Sequence, residues 1–159
     1  GLAQVDSPGR CEVLHRNPTV IVDAAHNPHG IAALVRTIKD EFDFSSLITV
    51  VAPMGDKDVR GIFEGLADIA DRVVVSANSS SRSAAINDAE AIAHSIYGPD
   101  RTTVIPHLSD AIVKAIEQAK LDNDINDENC AVIITGSVVT AGEARAILRR
   151  MSSRESSAK

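Results

Sequence analysis

The sequence predicts a three-layer α/β fold: a mostly parallel sheet of about six strands with helices on both faces. Three observations lead there. Short apolar runs alternate with amphipathic segments along the whole chain. The runs are rich in Val and Ile, as parallel strands buried on both faces require. Finally, 44% of the 159 residues are hydrophobic but only 3% are aromatic, with no Trp, so the core must be built from aliphatic side chains.

The elements follow in order. A weak strand over Cys11–His15 precedes a stronger one at Thr19–Asp23. Ile31, Leu34, Val35, Ile38 and Phe42 then form an i, i+3, i+4, i+7, i+11 stripe, the mark of a helix with one buried face. Asn27 and Pro28 suit its N-cap and first turn, and that helix start offers backbone amides to an anion. Further strands are expected at Leu47–Pro53, Arg72–Ala77, Thr102–Ile105 and Ala131–Gly136. Helices between them are marked by Val59, Ile62, Phe63 and Leu66, by Ala89, Ile92, Ala93 and Ile96, and by the stripe Leu108 to Ala119. A last helix carries Ala144, Ile147 and Leu148, with Thr140 and Glu143 at the spacing of a capping box. Strand–helix alternation of this kind gives βαβ units in a Rossmann-like layout. "LDNDINDEN" (121–129) and "NSSSRS" (78–83) read as surface loops. Residues 1–151 are expected to form one domain and 152–159 a polar, disordered tail. The chain opens on Gly1 without a Met, which suggests a piece of something larger.

Charge and cysteines narrow the function classes. The net charge of -6, with acids and bases interspersed, argues against nucleic acid or an anionic membrane as partner. Cys11 and Cys130 are the only cysteines and have no metal-ligand spacing; with no membrane-length apolar run, a reducing cytoplasm is the expected location. Phosphate-binding GxxxxGK[ST] and GxGxxG loops, a GxSxG elbow and paired catalytic carboxylates do not occur.

Ligands of open α/β sheets bind beyond the carboxyl ends of the strands. The residues there are Asp23, His26 and Asn27, then Met54 to Asp58, Asn78 to Arg82, His107, and Gly136 with Ser137. Two readings are open for Asp23: a strand-ending carboxylate that binds nearby loop amides, or an acceptor for a ligand hydroxyl. His26 is either a histidine satisfied by backbone or a donor and proton relay beside a polar ligand. Asp56, Lys57 and Asp58 form a solvated turn or place Lys57 against a phosphate or carboxylate. Gly136 and Ser137 start a helix or let a ligand approach the backbone closely. No third ligand accompanies Asp23 and His26, so no metal site is expected.

Together, "SPGRCEV", "DAAHNPHG", "MGDKD" and "TGSVVTAGEAR" occur in the order seen in folylpolyglutamate synthases and bifunctional dihydrofolate synthases. Over residues 7 to 150 the chain resembles their carboxyl-terminal domain, the glutamate-ligase domain of the Mur ligase superfamily. The specific element is Pro-Gly-Arg with Asp-Ala-Ala-His-Asn-Pro thirteen residues after the arginine. The resemblance implies an ADP-forming ligase that uses ATP and Mg²⁺ to turn a folate or dihydropteroate carboxylate into an acyl phosphate. The amine of L-glutamate then attacks it. It further implies that an amino-terminal ATPase domain, absent from this chain, holds the phosphate loop and most of the Mg²⁺ shell. Carried over, Arg10 contacts ATP phosphates or the transferring group, Asp23 the ribose, and His26 orients the incoming amino acid as the catalytic residue. Lys57 and Ser137 line the glutamate pocket. In relatives the loop after the third strand often has Pro before its Arg; here Ser81 precedes Arg82. The competing readings are a Mur-type ligase with another acceptor and a stand-alone flavodoxin-like binding module. The "TGS" that ends the last strand, where a receiver-type module has Lys, speaks against the module.

Overall fold

A computed structural model describes residues 10–158. Ser7, Pro8 and Gly9 of the first motif, and Lys159 of the tail, lie outside the described residues. The elements are β1 (Glu12–His15), β2 (Val20–Val22), α1 (Pro28–Glu41), β3 (Ser46–Val51), α2 (Val59–Leu66), β4 (Arg72–Ala77), α3 (Ile86–Tyr97), β5 (Thr102–His107), α4 (Leu108–Asn126), β6 (Cys130–Thr135) and α5 (Val138–Ala158). They form one six-stranded sheet of order β1-β2-β6-β3-β4-β5, parallel throughout except for β1, which runs antiparallel to β2. The expected fold class is therefore found.

Alternation along the strands divides the core in two. Ile21, Leu47, Val73, Val75 and Ile133 face α1, α2 and α3, whereas Val22, Ile48, Val50, Val74, Val132 and Ile134 face α4 and α5. Each Ile, Leu or Val side chain fully buried in this way contributes about 1.5–3 kcal/mol. The helix distribution follows from handedness. Crossovers from β2 through β3 and β4 to β5 advance in one direction, with their helices on one face. The return from β5 to β6 reverses direction, and a right-handed crossover then puts α4 on the other face. β6 thus inserts between β2 and β3, and the chain leaves β6 toward one face and both of its neighbours toward the other. The crevice of an open sheet lies at such a point, beyond the carboxyl ends.

Two expectations fail at the surface. Residues 121–126 of the expected acidic loop continue α4. Polar anchors hold this extension where an apolar stripe does not: Asp122 pairs with Arg72, and Asn123 bonds the backbone N–H and C=O of Cys130 at 2.6 and 3.1 Å. The helix ends at Asp127 in a left-handed conformation, φ 53°. Likewise, the expected disordered tail is helical through residue 158. Its first half packs through Ala141, Ala144, Ile147 and Leu148; once a helix is nucleated, each further residue adds a backbone bond at little cost. No helix among the described residues is long and apolar enough to cross a membrane.

Candidate functional site

The antiparallel pairing of Glu12 with Val22 brings the segment before β1 to the carboxyl end of β2. Arg10 and Asp23 meet there. Asp23 extends the β2–β6 ladder through its N–H to Ile134 O at 3.0 Å. Its carboxylate is only 7% exposed and turns back into the chain. Oδ1 accepts the Ala25 N–H at 2.8 Å; Oδ2 accepts the Cys11 N–H at 3.0 Å and the Cys11 thiol at 3.6 Å. The local-amide reading of Asp23 is thus realised, and a carboxylate's further lone pairs remain for a ligand hydroxyl.

Burial raises the Asp23 pKa above the ordinary 3.8, against the opposing pull of the Ala25 and Cys11 bonds and the Arg10 charge. The native state therefore binds the proton more tightly than the unfolded chain. This carboxylate's contribution to stability is largest at low pH and falls as pH rises through the window from 3.8 to the raised native value. In denaturant titrations from about pH 4 upward, the stability difference between wild type and Asp23→Asn should shift in the variant's favour across that window. A pH-independent difference would refute the raised pKa.

His26 follows two residues beyond Ala24, half-buried, with Nδ1 3.2 Å from the Ala24 carbonyl. A carbonyl only accepts, so Nδ1 carries the proton and Nε2 keeps its lone pair for a substrate in the neutral ring. Asn27 is the N-cap of α1, its Oδ1 accepting the Gly30 N–H at 2.8 Å, with Pro28 in the first turn. Cap and proline leave little of this helix start to an anion. Pro28 has no N–H, Gly30 is capped and Ile31 bonds to Asn27 O, so of these only the His29 amide is left.

At the end of β3, Met54 bridges to Ser83, Gly55 N–H reaches Arg82 O at 2.8 Å and Ala84 N–H reaches Pro53 O at 2.9 Å. The loops after β3 and β4 are thereby zipped together. Asp58 caps α2 through the Gly61 N–H at 2.9 Å, and Asp56 lies 3.8 Å from Arg82 in an exposed pair. Lys57 is exposed and makes no ion pair among the described residues, so its charge is available. It lies in the loop after β3, a strand two spacings (about 10 Å) from β2, after which Asp23 and His26 follow.

β6, between them, ends in Gly136 and Ser137. The Ser137 side chain is 2% exposed and accepts the Thr140 N–H at 2.9 Å. It, rather than Thr140, caps α5, which starts earlier than the Thr140–Glu143 spacing implied. Glu143 instead accepts the N–H and hydroxyl of Ser79. A hydroxyl so placed is engaged by the cap and by the Asn78 amide. The expected surface loop at 78–83 begins with a buried residue. Asn78 is 8% exposed; its side-chain amide donates to Thr140 Oγ1 at 3.0 Å and Ser137 Oγ at 3.4 Å, and its Oδ1 accepts the Ser80 N–H at 2.9 Å. Thr140 in turn donates to Ala52 O at 2.6 Å. Sequence reasoning gave Cys11 no part in the site, and it named Asn78 only among the strand-end residues and Thr140 only as a helix cap. For Asn78 a signal was present: like Asp23, it is a polar side chain directly after a buried run.

A cavity of about 660 Å³ opens beside this network, between the ends of β4 and β5 and helix α5, lined by Ser79, His107, Ser109, Glu143 and Arg150 among others. Arg10, Asp23, His26 and Lys57 lie apart from it, on the β2 and β3 side of the same sheet edge. Among the described residues no three His, Cys, Asp or Glu side chains gather to hold a metal ion.

A doubly wound α/β domain with cationic and imidazole side chains at its strand-order reversal is a ligand-binding domain of the nucleotide-enzyme type. The chain belongs to the Mur ligase family, as its glutamate ligase domain, whose model matches residues 9–138. The dihydrofolate synthase/folylpolyglutamate synthase of Mycobacterium tuberculosis is 43% identical over 156 residues, covering 94% of this chain and 32% of the relative. The corresponding Bacillus subtilis enzyme is 28% identical over 152 residues, again 94% of this chain and 32% of the relative. The crystal structure of M. tuberculosis folylpolyglutamate synthase complexed with ADP and AMPPCP matches with a TM-score of 0.86 at 43% identity, covering 92% of this chain and 33% of that one. A bifunctional folylpolyglutamate synthase/dihydrofolate synthase with Mn, AMPPNP and L-glutamate bound matches with a TM-score of 0.75 at 25% identity, over 91% of this chain and 32% of that one. The chain thus spans about a third of the length of these relatives. The resemblance read from the motifs is borne out.

Proposed function

We propose that this domain is the carboxyl-terminal part of an ATP-dependent ligase that adds L-glutamate to folates, with dihydropteroate as a further acceptor. The observation that carries the reading is the cluster of Arg10, Asp23 and His26 at one strand end. The family match, and relatives crystallised with adenine nucleotides and L-glutamate, support it. ATP transfers its γ-phosphoryl group to the acceptor carboxylate, releasing ADP; the glutamate amine attacks the acyl carbon, and phosphate leaves with the C–O bond. Chemistry of this kind asks for positioned charge and excluded water rather than a protein nucleophile.

Arg10, exposed and permanently charged, suits the phosphate oxygens of the nucleotide or of the acyl phosphate. Asp23 offers its remaining lone pairs to the ribose. His26, with Nδ1–H held by Ala24 O, presents Nε2 to an N–H of the incoming amine, orients the nitrogen lone pair for attack and accepts the proton released as the amide forms. Lys57 is placed for a glutamate carboxylate. The divalent ion that neutralises the phosphates belongs mainly to the amino-terminal ATPase domain, the partner across the crevice; among the described residues no three His, Cys, Asp or Glu side chains gather to hold it. The buried free thiols Cys11 and Cys130 suit a cytoplasmic enzyme.

The test is ADP release by the intact polypeptide with L-glutamate and either dihydropteroate or a reduced folate. Release should require both co-substrates, and His26→Ala should lower it at least tenfold, a loss of about 1.4 kcal/mol of transition-state stabilisation. Unchanged release in the variant would demote His26 to a structural role. Release independent of any pterin would move the acceptor outside the folates, and ADP release by this domain alone would contradict the division of labour.

A further inference from the structure

Arg10 is an exposed side chain at an end of the sheet where little holds it. β1 is an edge strand of four residues with a register irregularity between Val13 and His15, and its ladder begins only at Glu12. A guanidinium that must meet a phosphate at a fixed place needs its backbone fixed too, since an unanchored arginine loses more entropy on binding.

The anchor is one residue further on. Cys11 has φ 44°, a left-handed conformation that costs a non-glycine residue roughly 1–2 kcal/mol and persists only where its surroundings impose it. What imposes it here is Asp23. One carboxylate oxygen, Oδ2, takes both the N–H and the thiol of Cys11, while the other is fixed by the Ala25 N–H. Burial, then the Asp23 charge and its hydrogen bond, push the Cys11 thiol up to about 12, so the sulfur stays protonated and remains a donor. Cys11 is 6% exposed; whatever it does for the site it does through its neighbours. Arg10 carries no ion pair among the described residues, which leaves its charge for an anion.

We propose that Cys11 and Asp23 are positioning residues, forming a clamp that holds Arg10 at the mouth of the crevice in register with the nucleotide phosphates. The proposal deepens the ligase reading and rests on it for the identity of the anion. It gives Asp23 work that does not depend on touching the ribose, and gives a function to a thiol that neither the chemistry nor a metal site uses.

The experiment is a double-mutant cycle on the intact polypeptide, with ATP affinity measured by calorimetry and glutamate-dependent ADP release measured alongside. Cys11→Ala removes the thiol donor but keeps the N–H and adds no backbone strain beyond that of cysteine. It should weaken ATP binding about fivefold, and Cys11→Ser, which restores a donor, should bring it back to within about twofold. On an Arg10→Ala background, Cys11→Ala should have no further effect, because the guanidinium it positions is gone. In Asp23→Asn, hydrogen exchange at the Cys11 amide should accelerate at least tenfold while the core amides stay protected. A Cys11→Ala loss that persists undiminished without Arg10, no loss at all, or unchanged exchange at Cys11 would each overturn the clamp. Wild-type polypeptide that binds ATP but releases no ADP with glutamate and a folate would sink the ligase reading while the affinities still decide the clamp. Wild type with no ATP affinity would overturn both.

Discussion

Gly136→Ala is expected to destabilise the fold by about 3 kcal/mol, the sum of a backbone conformation closed to L-residues and a steric conflict with no flexible partner. Gly136 has φ 128°. A Cβ there would stand 2.8 Å from the Ala52 carbonyl carbon, 2.9 Å from its oxygen and 3.0 Å from its nitrogen, all backbone of the neighbouring strand end. None of these atoms can yield alone. Ala52 N–H donates to Thr135 O at 3.0 Å and Ala52 O receives the Thr140 hydroxyl, so moving Ala52 opens the β3–β6 ladder and strips the α5 network of its acceptor. For a domain of this size the loss corresponds to a fall in Tm of roughly 6–12 °C. Thermal and urea unfolding of the variant check it, and a change below about 1 kcal/mol would show that β3 gives way more easily than its bonding implies.

This glycine also marks the boundary between what the sequence discloses and what it conceals. Features set by local rules were legible. The Ile31–Ile38 stripe, the Asn27 cap with Pro28, and the Val- and Ile-rich runs each declare themselves within a few residues, and five parallel strands with helices between them follow. Features set by distant partners were not. The last turns of α4 rest on Asp122 meeting Arg72, 50 residues away, and nothing apolar announces them. The capping of α5 turned on whether Glu143 faced its own helix start or Ser79, 64 residues earlier; composition favours neither. In the site, Asp23 and His26 stood out because charged and imidazole side chains directly after a buried strand are conspicuous. Their company did not. That the Asp23 carboxylate would be engaged by Cys11 depends on the antiparallel register of β1, an edge strand too short to reveal its pairing partner. Ser137 read as a ligand contact because small residues after a last strand permit close approach; its hydroxyl is folded inward onto the start of α5.

Asn78→Ala should cost about 2–3 kcal/mol, the price of removing a buried amide whose partners are themselves buried. One side chain closes three segments: it donates to Thr140 and Ser137 at the start of α5, touches Met54 at the end of β3 with an N–S distance of 3.6 Å, and turns its own loop by accepting the Ser80 N–H. Alanine leaves that N–H, the Met54 sulfur and a lone pair on Thr140 without their partner, along with a small void. The damage should be local as well as global. Hydrogen exchange at Ser79 to Arg82 should rise well before the core opens, because the restraints that remain are local turn bonds within Asn78 to Ser83, the exposed Glu143–Ser79 bonds and the short ribbon joining Gly55 to Arg82. Asn78→Asp separates polarity from shape: it keeps the volume but turns a donor into an acceptor facing two hydroxyls, and its buried carboxyl should make the variant less stable as pH rises above the ordinary carboxylate range. Equal stability of Asn78→Ala and wild type, or a loop that stays protected in the variant, would mean that the packing of α5 against β6 holds this edge of the crevice without the amide. The predicted order of stability near neutral pH, wild type above either variant, follows from one fact of topology. Three strand ends converge on a single buried side chain, and the site's edge is only as ordered as that side chain's bonds.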